Sequence, residues 1–323
     1  MTSEPQLSCA ACAAPLAAGD RFCEQCGARS SDEEPAGPGC QACGAPAEAL
    51  DDEGYCTICG VRERPASNRV ELDLVIAAAV SDQGRVHRRN EDAFALGVAG
   101  ERSVAVVVCD GISSASAGDS AAQSAAAAAR ETLATAIDAG RDRRDAIGDA
   151  IQAAHEAVER VEWTARADRD MPSCTLVAAL WHEGEIAIGW LGDSRAYWVA
   201  AGDIRQLTTD DSWAEEQIAE GLLTREQASR DPRFHSITHW VGADAPERPP
   251  RVVVIRPDRP GRLVLCTDGL WNYAPSPGEL GTLVDALPEQ AAPAAVARSL
   301  TETALARGGR DNITVAVVDV GVE

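Results

Sequence analysis

The chain has 323 residues, 45% of them apolar and 25% charged, which is enough for about two domains and a sizeable core. Its 29 Lys+Arg against 51 Asp+Glu leave a formal net charge of −22, and every fixed side-chain cation is arginine. That balance excludes nucleic acid or an anionic membrane surface as the main partner, because both need a basic footprint.

The opening residues MTSEPQLSCA show no basic region followed by an apolar run. Apolar stretches such as Val75–Val80 and Val104–Cys109 fall far below the ~20 residues a membrane helix needs. The expected location is the cytoplasm, where thiols stay reduced, with no membrane partner.

Eight of the eleven cysteines precede residue 60, as the CxxC pairs Cys9/Cys12, Cys23/Cys26, Cys40/Cys43 and Cys56/Cys59. Two thiols on a tight turn make half of a tetrahedral site, and two such turns supply the four sulfurs that zinc prefers. With no export signal, metal spacing outweighs a disulfide framework. The pattern resembles a double zinc ribbon, one ribbon in 1–29 and one in 40–62, each with a structural Zn²⁺. Cys9, Cys12, Cys23 and Cys26 are paired on one ion, and Cys40, Cys43, Cys56 and Cys59 on the other; an interleaved arrangement is the alternative. Metal binding would supply the folding energy that such short segments lack. The acidic stretch Ser30–Gly39 joins the two, and a linker over 63–70 leads into the main domain, 71–322. Cys109, Cys174 and Cys266 lie in apolar runs and read as core residues.

The main domain alternates short β runs with helices. Leu72–Ser81, Val104–Cys109, Cys174–Trp181, Glu185–Leu191, Arg195–Val199, Val252–Ile255, Leu263–Cys266 and Ile313–Val320 are rich in Val, Ile and Leu and are bounded by Gly, Asp or Pro, as strands are. Glu183-Gly184 and Ala201-Gly202-Asp203 look like hairpin turns, so the pairing is expected to be antiparallel. Helices are expected over the Ala-rich run Ala121–Ala139, around Ile147, Ile151, Ala154 and Val158, over about Ser212–Ser229, and from about Pro288 to Arg307. Ser212/Glu215 and Thr224/Gln227 have the spacing of capping boxes. The fold class is α+β, a two-sheet antiparallel β-sandwich flanked by helices (α-β-β-α), preceded by small zinc-ribbon modules.

The acids stand where strands end. Asp110 follows VAVVVC, Asp193 follows GWLG, Asp268 follows LVLCT, Asp311 precedes NITVAVVDV, and Glu91-Asp92 opens another apolar segment. Carboxylates at the mouths of buried strands are poorly solvated and repel one another. Hard divalent cations with oxygen ligands, Mg²⁺ or Mn²⁺, resolve this.

These residues resemble the metal-dependent Ser/Thr protein phosphatases of the protein phosphatase 2C type. The match rests on SDQGRVHRRNEDAF (Ser81–Phe94), VVVCDGISSASAGDSAA (Val106–Ala122), GWLGDSRAYW (Gly189–Trp198), QLTTDDSW (Gln206–Trp213), HSITHWVGAD (His235–Asp244), LVLCTDGLW (Leu263–Trp271) and GGRDNITVAVV (Gly308–Val318), in order. The resemblance implies a protein-serine/threonine phosphatase with two or three Mn²⁺ or Mg²⁺. It makes Asp110 the bridging ligand, Asp268 and Asp311 further ligands of one metal, and Glu91 and the Gly111 carbonyl ligands of the other. Asp92 is a neighbouring acid, and Asp193 with Asp268 matches a third site. Asp110, Asp268 and Asp311 are thus the catalytic acids. The implied partners are phosphorylated proteins, and a Ser/Thr kinase or its substrates; the chain is expected to be a monomer.

Three positions depart from the family. Its phosphate-gripping Arg is His87 here, with Arg85 and Arg88 nearby as the other candidate phosphate-binding residues. Ile112 stands where some members have a proton-donating His. PSCT (Pro172–Thr175) replaces a Gly-Thr-Thr motif. The rival reading is a weakly active phosphoprotein-binding scaffold with zinc-ribbon protein contacts; the intact acid set argues against it. Eleven Asp/Glu against four Arg before position 65 make the ribbons poor nucleic-acid modules.

Overall fold

A computed structural model describes residues 68–99, 103–165, 167, 169–246 and 249–321, with 7–8, 15–16, 45–46, 49 and 56–58 near the N-terminus. The chain divides into two compact units, Met1–Pro65 and Ala66–Glu323. In the first, β1 (Leu7–Ser8) pairs antiparallel with β2 (Pro15–Leu16). Cys56 is buried there, beside Ala45 and Ala49. Cys9, Cys12, Cys23, Cys26, Cys40, Cys43 and Cys59 lie outside the described residues.

The second unit opens with β3 (Arg69–Asp73), β4 (Ala77–Asp82), β5 (Ala93–Val98) and β6 (Ser103–Cys109), then α1 (Gly118–Asp138) and α2 (Arg143–Glu159). Next come β7 (Ser173–Cys174), β8 (Leu176–His182), β9 (Glu185–Leu191), β10 (Arg195–Ala200) and β11 (Asp203–Gln206). After them lie α3 (Trp213–Ala219), α4 (Arg225–Ala228), β12 (Val241–Gly242), β13 (Arg251–Ile255) and β14 (Gly261–Cys266). The chain finishes with α5 (Asp268–Trp271), α6 (Pro277–Asp285), α7 (Pro293–Ala306) and β15 (Ile313–Val320).

One sheet has the order β11-β10-β14-β15-β4-β3 and the other β13-β9-β8-β6-β5. Every pairing in both is antiparallel. Helices α1 and α2 cover the five-stranded sheet, and α5, α6 and α7 the six-stranded one. Central strands such as β6, β8 and β15 read as near-continuous apolar runs because both faces are buried. Along β6, Val104, Val106 and Val108 point between the sheets, while Ala105, Val107 and Cys109 point under α1 and α2. Along β15, Ala316 and Val318 point between the sheets, and Ile313, Val315 and Val317 under α7. Cys109, Cys174 and Cys266 are all buried in these layers.

Small residues set the spacing of the outer layer on the five-stranded side. The buried face of α1 is Ala121, Ala122, Ala125, Ala126 and Ala129, which lets the helix lie close to the sheet. On β9, a Cβ at Gly189 would sit 2.3 Å from Ile147 of α2.

The structure corrects several boundaries. Leu72–Ser81 is two strands joined by a tight turn at Val75, whose φ is +71°, and the Val75 amide donates to the Asp73 carboxylate at 2.9 Å. The apolar lettering from Leu74 to Val80 hid this turn. The expected Pro288 helix begins at Pro293, and α6 before it is an additional helix with a Ser276/Glu279 capping box. The Ser212–Ser229 segment is two helices: Ser212 caps α3 in one direction only, whereas Thr224 and Gln227 form the reciprocal box of α4.

Candidate active site

Antiparallel register gathers the acids at one edge of the sandwich. Ala93 lies opposite Cys109, so Glu91-Asp92 and Asp110 flank the same end of the five-stranded sheet. Cys266 lies opposite both Val315 and Arg195, so Asp268, Asp311 and Asp193 share the matching end of the other sheet or the turn leading into it. The sheets are stitched together there. Asp92 accepts hydrogen bonds from Thr267 Oγ1 at 2.9 Å and Thr314 Oγ1 at 2.7 Å, both from the opposite sheet. The Asn312 carboxamide accepts from the Glu91 amide at 2.8 Å and donates to the Gln83 and Arg89 carbonyls at 2.7 and 2.9 Å. It closes the loop 83–91 onto the start of β15.

Close backbone approach explains the two Asp-Gly pairs. A Cβ on Gly111 would lie 2.6 Å from the Glu91 and Gly118 carbonyl oxygens, and one on Gly269 would lie 1.8 Å from the Asn312 oxygen. Asp110 is fixed through its main chain: its amide donates to Thr175 Oγ1 at 3.2 Å and its carbonyl accepts from the Thr175 amide at 2.8 Å. Thr175 is the last residue of the PSCT motif. Trp271 donates to the Asp193 carbonyl at 2.9 Å and so secures the turn before β10.

Burial governs the charge state of this cluster. It pushes the carboxyl groups of Asp110 and Asp193 well above the usual carboxylate range, and neighbouring carboxylates add to the effect. Burial pushes Asp92 and Asp268 up to about 7. Glu91 is raised by burial and by Asp119 beside it. Asp268 Oδ2 accepts a hydrogen bond from the Asn272 carboxamide at 3.1 Å. Among the described residues, no three His, Cys, Asp or Glu side chains form a closed ligand cage. Yet Asp92 Oδ1 and Asp268 Oδ1 are buried with no hydrogen-bond partner. Partnerless buried carboxylate oxygens among like charges fit a hard divalent cation.

The candidate cations separate. His87 Nε2 lies 3.2 Å from Asp311 Oδ1. Arg88 and His87 line a cleft of about 560 Å³ with Arg89, Glu91 and Arg169. Arg85 is turned elsewhere, its Nε donating at 2.9 Å to the Leu305 carbonyl at the end of α7. Sequence reading missed Thr267, Thr314, Asn312 and Arg169. The two threonines stand out only as hydroxyls at otherwise apolar strand ends, which does not disclose their partner. Arg169 reaches the cleft from the distant α2–β7 loop and had no local signal.

The fold is thus an antiparallel α-β-β-α sandwich whose carboxylates converge from both sheets at one edge. The protein phosphatase 2C family model matches residues 83–306, and the chain belongs to that family. It is 34% identical over 258 residues to the serine/threonine protein phosphatase PstP of Mycobacterium tuberculosis, covering 78% of this chain and 46% of that protein. The chain therefore spans about half the length of the curated relative. It is 29% identical over 245 residues to the serine/threonine phosphatase stp of Listeria welshimeri, covering 74% of this chain and 93% of the relative. Among solved structures, the catalytic domain of PstP in complex with two manganese ions superposes with a TM-score of 0.57 at 29% identity, covering 76% of this chain and 98% of that one. No described helix is long and apolar enough to cross a membrane.

Proposed function

We propose that this chain hydrolyses phosphoserine and phosphothreonine on proteins by in-line attack of an activated water, supported by two Mn²⁺ or Mg²⁺. The observation behind this reading is the buried acid cluster, whose Asp92 and Asp268 oxygens have no hydrogen-bond partner, in a chain of this family. Asp110, Asp268 and Asp311 would hold one ion, and Asp110, Glu91 and the Gly111 carbonyl the other. Asp193 with Asp268 offers a third site. Asp92, held by Thr267 and Thr314, fixes the spacing of the two sheets behind these ligands. Bound there, the metals supply a water of lowered pKa and neutralise charge on the phosphate oxygens. The chain's own part is positioning. His87 and Arg88 would meet the phosphate from the cleft wall. Ile112 offers no proton, so the leaving oxygen takes one from solvent.

Full-length protein with Mn²⁺ will hydrolyse p-nitrophenyl phosphate and phosphothreonine peptides and stop on chelation. No turnover at any Mn²⁺ or Mg²⁺ level would leave the scaffold reading in its place. Phosphorylated proteins, among them a Ser/Thr kinase or its substrates, are the partners this reading implies.

We also infer that residues 1–62 hold structural zinc, a reading supported by the spacing of the four CxxC pairs. Elemental analysis of the purified chain will find about two zinc per molecule by four-sulfur arithmetic, and Cys40→Ser with Cys43→Ser will remove about one. Zinc content unchanged by that double substitution would refute the ligand assignment.

A further inference from the structure

The cleft beside Glu91 has a wall that the phosphatase reading leaves without a role. Arg169, on the loop between α2 and β7, donates from Nη1 to the Ser113 carbonyl at 2.5 Å and to the Ala115 carbonyl at 3.4 Å. The main chain beside it is strapped to the same loop. The Asp170 amide donates to the Ser114 carbonyl at 3.1 Å, the Ser116 amide donates to the Asp170 carbonyl at 2.9 Å, and Ser114 Oγ donates to the Asp170 carboxylate at 3.0 Å. These contacts hold one side of the guanidinium on the loop that follows Asp110-Gly111, the ISSASAGD segment in which this chain departs from its family.

A guanidinium has five donors. With Nη1 engaged, Nε and Nη2 have no acceptor among the described residues, and Arg169 lines the cleft with Arg89, Arg88, His87 and the half-exposed Trp163. In a chain of net charge −22, three guanidiniums around one cleft outnumber the carboxylates of Glu91 and Asp119 that also line it. Glu91 belongs to the reacting centre, so the cleft begins where the phosphate is cleaved and continues outward past Arg169.

We propose that Arg169 is a specificity-determining residue: it receives an anionic side chain, carboxylate or second phosphate, that neighbours the phosphorylated residue of the substrate. The proposal rests on the phosphatase reading above. A guanidinium takes either group through parallel charge-assisted hydrogen bonds, and its attachment to two carbonyls fixes its orientation before the substrate arrives.

The test uses full-length protein with Mn²⁺ and phosphothreonine peptides flanked on either side by Gln, Glu, phosphoserine or Arg. Wild type will favour the Glu- and phosphoserine-flanked peptides in kcat/KM over the Gln peptide. Arg169→Glu will reduce that preference by about tenfold, the size expected for losing one charge-assisted contact, and will move it toward the Arg-flanked peptide. Arg169→Gln will abolish the preference without reversing it, and Arg169→Lys will keep part of it. Phosphoserine ahead of Glu identifies phosphate as the occupant; the reverse order identifies carboxylate. A wild type indifferent to flanking charge, or an Arg169→Glu loss equal on all four peptides, would overturn the assignment. If wild type turns over neither these peptides nor p-nitrophenyl phosphate, the phosphatase reading itself falls, and the assignment falls with it.

Discussion

Asp110→Asn will lower kcat by about a thousandfold or more, equivalent to about 4 kcal/mol at 1.36 kcal/mol per tenfold. The carboxylate is assigned to both metals, so the amide weakens both sites at once. The fold will not suffer. Asp110 is held by main-chain bonds to Thr175 that an Asn makes equally well. Burial and four neighbouring carboxylates disfavour its charge, so a neutral amide relieves repulsion in the metal-free protein. The variant will therefore lose turnover while its chelator-treated form melts at a higher temperature than wild type. Near-normal turnover at saturating Mn²⁺ would refute the ligand assignment. Lost turnover with a lowered melting temperature would show instead that the side chain supports the fold.

The second large effect is metal-dependent stability that grows with pH. Asp92 and Asp268 are raised to about 7 in the folded chain, and burial raises Asp110 and Asp193 well above the usual carboxylate range. A carboxyl with a raised folded pKa binds its proton more tightly in the native state. Its stabilising contribution is complete below the unfolded pKa and is lost as pH rises through the folded value. Exposed carboxylates shifted in the opposite direction, such as Asp231, pulled down to about 2 by Arg233, complete their titration in acid. His155, lowered by burial, opposes the trend only below its ordinary range. Between about pH 5 and 7 the chelated protein will thus lose stability steadily, as Asp92 and Asp268 titrate through their folded values. Saturating Mn²⁺ will restore it by about 5–10 °C, from ligand linkage and the usual entropy of a chain this size, and the gain will be larger at about pH 7 than at about pH 5. Thermal melts with and without chelator measure this directly. A metal-free melting temperature that rises through that interval would contradict the buried-acid account.

Much of this was readable in the letters. Doubly buried strands announce themselves as Val, Ile and Leu runs, and the acids that end them gather at one edge of the sandwich. The Val75 turn was not readable, since it depends on an Asp73 side-chain contact and a backbone angle rare for a β-branched residue. The roles of Thr267 and Thr314 were not readable either. They meet Asp92 only because two sheets, paired by residues far apart in sequence, bring their ends together. Arg169 illustrates the same limit: its partners Ser113 and Ala115 lie more than fifty residues away. Arg85 shows the converse, since sequence proximity to His87 suggested a shared task and the fold sends it to α7.

The single carboxamide of Asn312 grips three points of the loop that holds His87, Arg88 and Arg89. Loops of this length ordinarily wander, and a wandering loop must be immobilised each time a ligand arrives, at a cost in entropy. Here the immobilisation takes place once, during folding. On the proposed reading the cations on the loop would meet an incoming anion already in place, so binding enthalpy would not be consumed in arresting them. Selectivity among anions can then be set by the fixed spacing of the donors. The same amide makes the loop's order dependent on β15, the strand that starts beside it. Loosening that sheet would blur recognition before it unfolded the chain.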